Sequence, residues 1–224
     1  MTRPERDGSQ PEHPWRTIDL DLYERHMNDA QVGQLQQLHD ITREQLAAAY
    51  PCRAVGLLGI AGGNGLDLVD PATTDAVFGY DINADYLLAC ESRHRDRLGA
   101  RLHLVEATID RCLRIEPVDL LVANLIIEYV GVEEFAAFIA TNSPRMGHLS
   151  CVIQRNDTAS FVSSTAYAES FDALASVASD VDAETLEAAM TGAGFIAVRP
   201  SVHPLPNGKT LVRQDFQPDT AAHL

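Results

Sequence analysis

A glycine-rich segment directly follows the first strongly apolar run of the chain. The run covers residues 54–60, and the segment GIAGGNG occupies residues 59–65. Glycine carries no side chain, so a turn of this kind lets a ligand touch the backbone, and the amides at the start of a following helix favour an anionic group. The spacing is not Gly-x-Gly-x-x-Gly, because Leu68 takes the third position, so the dinucleotide fingerprint is absent.

A single acid ends the second apolar run. Asp81 stands about 16 residues after Gly65, within the segment GYDIN at 79–83. At the carboxyl end of a parallel strand, such a carboxylate is placed to accept hydrogen bonds from both hydroxyls of a ribose. The alternative is an ordinary strand–helix turn at 59–65, with Asp81 as a helix cap. The ribose interpretation requires an open crevice and a carboxylate that is not used up by bonds to its own main chain.

Short apolar runs alternate with helical patterns through the middle of the chain, which predicts βαβ units and a parallel sheet. The predicted strands are 54–60, 76–80, 102–105, 119–123 and 149–153, and the helices between them are 83–98, 109–113 and 133–140. Two more strands, at 195–198 and 210–216, flank the turn residues PNG at 206–208, so the sheet should end in an antiparallel hairpin. The expected fold is α/β and doubly wound, with a seven-stranded, mostly parallel sheet.

The regions before and after this alternation suggest a simple domain organisation. Residues 1–14 are expected to be a disordered leader, and 15–50 an N-terminal helical cap whose second helix starts at Asn28 or Asp29. The ligand-binding domain covers 51–217. Within it, the Ser- and Ala-rich stretch 156–181 has no clean period and is interpreted as a lid or cap insertion.

Composition excludes several functional classes. The chain has 224 residues and a formal net charge of −15, which disfavours binding to nucleic acid or to an anionic membrane surface. Lys209 is the only lysine, so no Walker A loop is present, and its place in an expected surface turn argues against a Schiff base. Four cysteines lie far apart without metal-ligand or redox spacing, so no metal site is predicted. This usage is typical of a cytoplasmic protein with reduced thiols.

The loop and the acid together resemble the class I (Rossmann-like) S-adenosylmethionine-dependent methyltransferases, over about residues 52–155 and more loosely to 217. That family has a loop of the form acidic-x-Gly-x-Gly-x-Gly. Gly59, Ala61 and Gly63 fall on its three glycines, with Ala61 replacing the middle one, and Leu57 stands where the acid usually is. The resemblance implies a Rossmann-like fold and S-adenosyl-L-methionine (SAM) as the cofactor.

The resemblance also implies a set of cofactor-binding residues. Asp81 matches the ribose-binding acid and Ile82 the residue that packs on adenine. The pair Glu128-Tyr129 falls where small-molecule members often have Glu-His, and we interpret Glu128 as a helix-start carboxylate. The implied set comprises Gly59, Ile60, Ala61, Gly63, Asn64, Asp81, Ile82, Ala107, Thr108, Asn124 and Leu125.

Catalytic residues should come from the region that covers the carboxyl edge of the sheet. We expect Tyr23 to bind the methionine carboxylate or the acceptor, His26 to act as a base, and Asn124 to offer a donor and an acceptor at the reacting centre. Tyr167 is a further candidate, in the insertion. The alternatives are that Tyr23 is a core contact, that His26 is a solvated surface residue and that Asn124 caps its strand.

The predicted function is SAM-dependent methyl transfer to a small-molecule acceptor. One alternative is an enzyme that uses the aminopropyl arm of SAM, by cyclisation or transfer, and releases methylthioadenosine. Another is a catalytically silent SAM-binding module. The glycine spacing disfavours a nicotinamide dehydrogenase, and the sequence leaves the formation of a homodimer open.

Overall fold

The computed structural model describes residues 13–49, 51–156, 171, 173, 174 and 176–220. Of the expected leader, only His13 and Pro14 are described, and Pro14 already opens a short 3-10 turn. Most of the expected insertion, including Tyr167, lies outside the described residues.

All the strands of the described residues belong to one sheet. They are β1 (Ala54–Leu58), β2 (Ala76–Asp81), β3 (Leu102–Glu106), β4 (Val118–Asn124), β5 (Met146–Arg155), β6 (Phe195–Pro204) and β7 (Thr210–Pro218). Their order is β3-β2-β1-β4-β5-β7-β6, and the first five run parallel. Strand β7 lies antiparallel between β5 and β6. The predicted sheet, with its antiparallel C-terminal hairpin, is confirmed.

Three of the helices in the described residues start at side chains that cap them. Asp19, Asn83 and Asp182 each accept a hydrogen bond from a main-chain amide in the first turn of the helix that follows. None of the helices in the described ranges is long and apolar enough to cross a membrane. The helices are α1 (Leu20–Met27), α2 (Gln34–Ala48), α3 (Ala84–Leu98), α4 (Ile127–Val130), α5 (Val132–Asn142) and α6 (Ala183–Gly192).

Helices cover both faces of the sheet, which explains why its central strands are continuously apolar. On one face, Phe138 of α5 and Met190 of α6 pack in the same cluster as Leu121 of β4. On the other face, Cys90 of α3 packs with Leu120, the neighbour of Leu121 along the strand. Consecutive residues of β4 therefore enter opposite halves of the core, as expected for a doubly wound fold.

The predicted helix at 109–113 is wrong. The segment forms a turn because the Asp110 carboxylate accepts hydrogen bonds from Cys112 N at 2.8 Å and from Leu113 N at 3.1 Å. An aspartate that bonds the backbone two and three residues ahead competes with the helical bonds of that backbone.

The start of the second cap helix also differs from the prediction. Helix α2 begins at Gln34, after Gly33 in a left-handed conformation with φ of 65°. Asp29 instead accepts a hydrogen bond from Gln31 N at 2.9 Å in the connecting turn. Side chains of this type favour turns as readily as helix starts, so sequence alone does not separate the two roles.

Lys209 was expected in a surface turn, and this expectation is wrong. Its residue is only 1% exposed, and burial lowers the pKa of its amine to about 8. The hairpin turn at 206–208 packs on the N-terminal cap, because a Cβ added to Gly33 would lie 3.1 Å from Pro206 Cδ. The turn residues were predicted correctly, but not the surface that they contact.

Candidate functional site

A cleft of about 290 Å³ opens at the carboxyl ends of the parallel strands. It is lined by the loop after β1, the end of β2, the segment after β3 and the end of β4, together with side chains of α1, α3 and α4. This is the edge at which open α/β sheets bind ligands. The topology therefore brings the glycine-rich loop and the predicted acid to one site.

Asp81 ends β2 and is 6% exposed. Its Oδ2 accepts a hydrogen bond from Ala61 N at 2.9 Å, and its Oδ1 accepts one from Asn83 N at 2.9 Å. A ribose-binding carboxylate must not be used up by bonds to its own main chain, and Asp81 does not meet that requirement in full. A carboxylate has about four lone-pair sites, however, so acceptor capacity remains, and Asp81 lines a cleft that packing does not fill.

Burial raises the pKa of Asp81, and the main-chain amides that donate to it act in the opposite direction. The backbone of Ala61 has a left-handed conformation, with φ of 47°, and the hydrogen bond from Ala61 N to Asp81 stabilises it. That conformation costs a non-glycine residue about 1–2 kcal/mol. The loop after β1 therefore has, at Ala61, a backbone conformation that glycine would adopt more easily.

Two glycines of the loop are required by packing rather than by the cleft. A Cβ on Gly63 would lie 2.7 Å from the His94 ring, and a Cβ on Gly65 would lie 2.7 Å from Thr42 Cγ2. The loop then enters a 3-10 turn at Leu66–Leu68. The connection between β1 and β2 is described throughout and contains no α-helix, so the expected helix N-terminus for an anionic group is absent.

The segment before α1 forms part of the cleft through His13 and Trp15. It is fixed by the turn that follows Asp81. Asn83 Nδ2 donates to the Trp15 carbonyl at 2.9 Å, and Arg16 Nη1 donates to the Ile82 carbonyl at 3.1 Å. The carboxylate and the N-terminal segment therefore share one anchoring turn.

Four aromatic side chains stand together in the cleft. The Trp15 ring packs edge to face on Tyr23 at 5.4 Å and on Tyr129 at 5.1 Å, and Tyr23 stacks on Tyr86 at 6.2 Å. Trp15 Nε1 and the Tyr86 hydroxyl are buried and have no hydrogen-bond partner among the described residues. Such a buried group costs about 1–3 kcal/mol when it is left unsatisfied, so both groups are placed to bond a ligand.

Most of the predicted cofactor residues line this cleft. Tyr23, predicted as catalytic, lines it as well. Ile60 packs in the core instead, Gly63 contacts α3, and the Asn64 amide donates to the Leu35 carbonyl at 3.0 Å. Those that line the cleft are Gly59, Ala61, Asp81, Ile82, Ala107, Thr108, Asn124 and Leu125.

The side chain of Asn124 is engaged with the N-terminal cap. Its Oδ1 accepts from Gln45 Nε2 at 2.9 Å, and its Nδ2 donates to Gln45 Oε1 at 3.2 Å. Gln45 Nε2 also donates to Ser150 Oγ, which in turn donates to Asp215 Oδ1 at 2.5 Å. The Asn124 amide therefore ties β4 to α2, and a role at a reacting centre requires this pair to open.

A smaller cavity of about 70 Å³ adjoins the cleft and shares Trp15, Tyr23, Leu125 and Tyr129 with it. His26 lines this cavity and is 6% exposed, so the alternative of a solvated surface histidine is wrong. Burial lowers the pKa of His26, with a further contribution from the charge of Lys209, which favours the neutral imidazole.

Glu128 lines the same small cavity. It lies in the first turn of α4, as interpreted from the sequence, but it is only 1% exposed. Its Oε1 accepts from Gln154 N at 2.7 Å, and its Oε2 has no hydrogen-bond partner among the described residues. Burial raises the pKa of Glu128 to about 7, and the nearby charge of Asp180 adds to the effect.

Trp15, Tyr86 and Tyr129 also line the cleft and were not predicted from the sequence. Tyr86 carried a usable signal, since the first turn of the helix after Asp81 must stand beside the end of β2. Trp15 carried none, because it belongs to a segment that looked like the border of a leader. No cluster of three or more His, Cys, Asp or Glu side chains suited to a metal ion occurs in the described ranges.

Replacement of Glu128 by glutamine should change how stability depends on pH. The folded pKa of about 7 lies above the ordinary value of 4.5, so this group stabilises the fold fully below pH 4.5 and loses that contribution as pH rises through 7. In urea unfolding, the wild type should therefore lose about 3 kcal/mol relative to Glu128→Gln between pH 4.5 and pH 8. Glu133→Gln, at an exposed position of α5, is the matched control and should follow the wild type. Parallel pH profiles for the wild type and Glu128→Gln would contradict the burial argument.

No protein-family model matches the sequence, and a search of curated proteins finds no similar sequence. Solved structures, in contrast, superpose over most of the chain. Magnesium protoporphyrin IX methyltransferase (ChlM) from Synechocystis PCC 6803, with bound SAM, is 12% identical with a TM-score of 0.69, covering 93% of this chain and 99% of its own. The N-methyltransferase NodS from Bradyrhizobium japonicum WM9, in complex with S-adenosylhomocysteine, is 13% identical with a TM-score of 0.64, covering 92% and 99%.

A third similar structure is the 1,6-didemethyltoxoflavin-N1-methyltransferase of Burkholderia thailandensis, with S-adenosylhomocysteine and 1,6-didemethyltoxoflavin bound. It is 13% identical, with a TM-score of 0.63, covering 88% of this chain and 85% of its own. At such low identities the likeness establishes the fold. This chain has the Rossmann-like fold of SAM-dependent methyltransferases.

Proposed function

We propose that this protein is a SAM-dependent methyltransferase that acts on a small-molecule acceptor. The observation that carries the proposal is the position of Asp81, at the end of β2, in an open cleft formed with the turn after β1. Similar folds with SAM or S-adenosylhomocysteine bound support the same ligand here. The residues of the cleft must also suit that ligand.

The cleft residues fit the parts of SAM in chemical type. Asp81 retains acceptor capacity for ribose hydroxyls, and Ile82 adds apolar surface beside it for an adenine ring. The buried Tyr86 hydroxyl and Trp15 Nε1 have no partner among the described residues, and both are donors for an anionic or carbonyl group. The methionine part of SAM carries a carboxylate of this kind.

When bound, SAM supplies a methyl group that its sulfonium already activates. The chain's own residues then have to position the acceptor and exclude water. The aromatic group of Trp15, Tyr23 and Tyr129 stands between the cleft and the smaller cavity and provides apolar surface for both tasks. His26, at the wall of the smaller cavity, is kept neutral by burial and is able to take up a proton.

A small acceptor suits the charge and the shape of the site. The formal net charge of −15 disfavours a polyanion such as DNA or RNA. The cleft is bordered by the anchored segment of Trp15 and Arg16, which narrows access for a large partner. The acceptors named for ChlM and for the toxoflavin enzyme are small molecules, which supports the same class for this chain.

Asp81→Asn should weaken the binding of S-adenosylhomocysteine at least about tenfold, because hydrogen bonds to a charged group contribute about 1.5–3 kcal/mol each. Isothermal titration calorimetry measures the affinity. Asp85→Asn, an exposed aspartate in the first turn of α3, is the control and should bind like the wild type. An unchanged affinity in folded Asp81→Asn would remove the ribose assignment.

Two tyrosine variants separate ligand binding from folding. Tyr86→Phe removes a buried hydroxyl without a protein partner, so the free protein should keep its stability while the affinity for S-adenosylhomocysteine falls about two- to tenfold. Tyr80→Phe removes a hydroxyl that accepts from Glu116 N at 3.0 Å, so it should lower stability by about 1 kcal/mol and leave the affinity unchanged. Thermal denaturation and calorimetry measure the two quantities. The opposite pattern would mean that Tyr86 does not contact the ligand.

Product analysis tests the reaction itself. Incubation with SAM and a panel of small amines and alcohols should release S-adenosylhomocysteine, detected by chromatography and mass spectrometry. Methylthioadenosine in its place would identify use of the aminopropyl arm. Binding of SAM without either product across the panel would instead support a silent binding module.

A further inference from the structure

The small cavity beside the cleft is lined by a carboxyl group, one oxygen of which neither the contacts of the fold nor the cofactor cleft explains. Glu128 is buried, lines this cavity, and does not line the larger cleft. Its Oε1 bonds to Gln154 N, which fixes the side chain to β5. Its Oε2 is buried without a hydrogen-bond partner among the described residues. An unsatisfied buried oxygen that lines a cavity is placed to accept a hydrogen bond from a ligand.

The rest of the cavity wall suits a positively charged donor. Trp15, Tyr23 and Tyr129 form part of the wall, and Phe171 adds a fourth aromatic ring. Ammonium groups are attracted to the faces of such rings, most strongly to tryptophan. A neutral hydroxyl would gain the hydrogen bond to Oε2 but not this attraction.

The charges of the groups around Glu128 also favour a positively charged ligand. The carboxylate of Asp180 acts on Glu128 as a second negative charge. His26, the other titratable group on the wall besides the tyrosines, is held toward its neutral form by burial and by Lys209. The acidity of the whole chain, with a net charge of −15, draws cations rather than anions toward the site.

We propose that this cavity is the acceptor subsite for a primary amine, and that Glu128 Oε2 accepts the hydrogen bond of its ammonium group and takes its proton. This proposal rests on the proposed methyl transfer. The cavity and the cofactor cleft share a wall, which places the amine beside the cofactor; the wall consists of Trp15, Tyr23, Leu125 and Tyr129. The proposal adds a substrate class and a catalytic residue to that function.

The chemical step balances without a further reactant. The ammonium gives one proton to the Glu128 carboxylate, which leaves a neutral amine and a carboxylic acid. The nitrogen lone pair then forms the bond to the methyl carbon while the sulfur–carbon bond breaks and its electron pair stays on sulfur. The products are a methylated ammonium ion and a thioether. Because burial raises the pKa of Glu128 to about 7, this carboxylate is a stronger base than an exposed one.

The sole tryptophan of the chain provides a direct binding signal. Trp15 lines both the cleft and the small cavity, so its fluorescence should respond to ligands in either. The probes are n-butylamine, 1-butanol and butyrate, which share a chain and differ in the head group. Each is titrated into the wild type, both free and saturated with S-adenosylhomocysteine. Butylamine should bind at least about tenfold more tightly than 1-butanol, because only its ammonium group adds a charge–charge interaction with Glu128 and an attraction to the aromatic rings.

Two variants test the role of Glu128. Glu128→Gln keeps an oxygen for Gln154 N but loses the charge, so it should lose the preference for butylamine while its affinity for S-adenosylhomocysteine stays within about twofold of the wild type. The exposed Glu133→Gln should keep the preference. With SAM, the wild type should produce N-methylbutylamine, and Glu128→Gln should lower kcat with a smaller change in KM for SAM.

Equal binding of butylamine and butanol by the wild type would overturn the proposal without any variant. A preference that survives in Glu128→Gln would overturn the assignment to Glu128. These results are separate from a failure of the proposed function. That failure would appear as no binding of S-adenosylhomocysteine by the wild type, whereas the amine preference is still measured on the free protein.

Discussion

The site depends on one buried carboxylate and the main-chain amides that hold it. Asp81 receives hydrogen bonds from Ala61 N on one side and from Asn83 N on the other. The first fixes the turn after β1, and the second fixes the exit from β2, so a single side chain sets the relative position of the two strand ends. A buried charge is strongly unfavourable without such donors. The shape of the cleft and the position of the Asp81 carboxylate therefore depend on the same hydrogen bonds, so a change in one is expected to change the other.

The same turn carries the opposite wall of the cleft. Asn83 caps α3 with its Oδ1 and donates from its Nδ2 to the carbonyls of Trp15 and Ile18. Arg16 reaches back to the Ile82 carbonyl at 3.1 Å. The N-terminal segment is thus attached to the residues that follow Asp81 and, through the ion pair of Arg16 with Glu106 at 3.2 Å, to the end of β3. A ligand bound to Asp81 would lie beside the residues that anchor the N-terminal segment. Occupancy of the cleft is therefore expected to affect how well this segment is ordered.

The sequence predicted the sheet and its acid well because both are local patterns. Apolar runs bounded by turn residues locate the strands, and a strand end locates Asp81. Two errors, the helix at 109–113 and the start of α2, are local, because Asp110 and Asp29 bond the backbone just ahead of them. The other errors concern partners that are distant in sequence. The Asn124 amide is paired with Gln45, 79 residues earlier, and Lys209 is buried because its hairpin packs on the N-terminal cap. Trp15 lines the cleft through bonds to the turn at 81–83 and through ring contacts with Tyr23 and Tyr129. Periodicity and spacing carry no information about contacts of this kind.

The two buried carboxyl groups of the site, Asp81 and Glu128, differ in their hydrogen-bond donors. Both have a pKa raised by burial. Asp81 has a main-chain donor on each oxygen, which favours the charged form and suits a group that only accepts hydrogen bonds. Glu128 has Gln154 N on one oxygen and an unpartnered second oxygen among the described residues, so the balance between its charged and neutral forms lies near neutral pH. A ligand donor at that second oxygen would favour the charged form, whereas at Asp81 the two main-chain donors already act in that direction. Pairs of acids whose surroundings differ in this way allow one to bind and the other to exchange a proton.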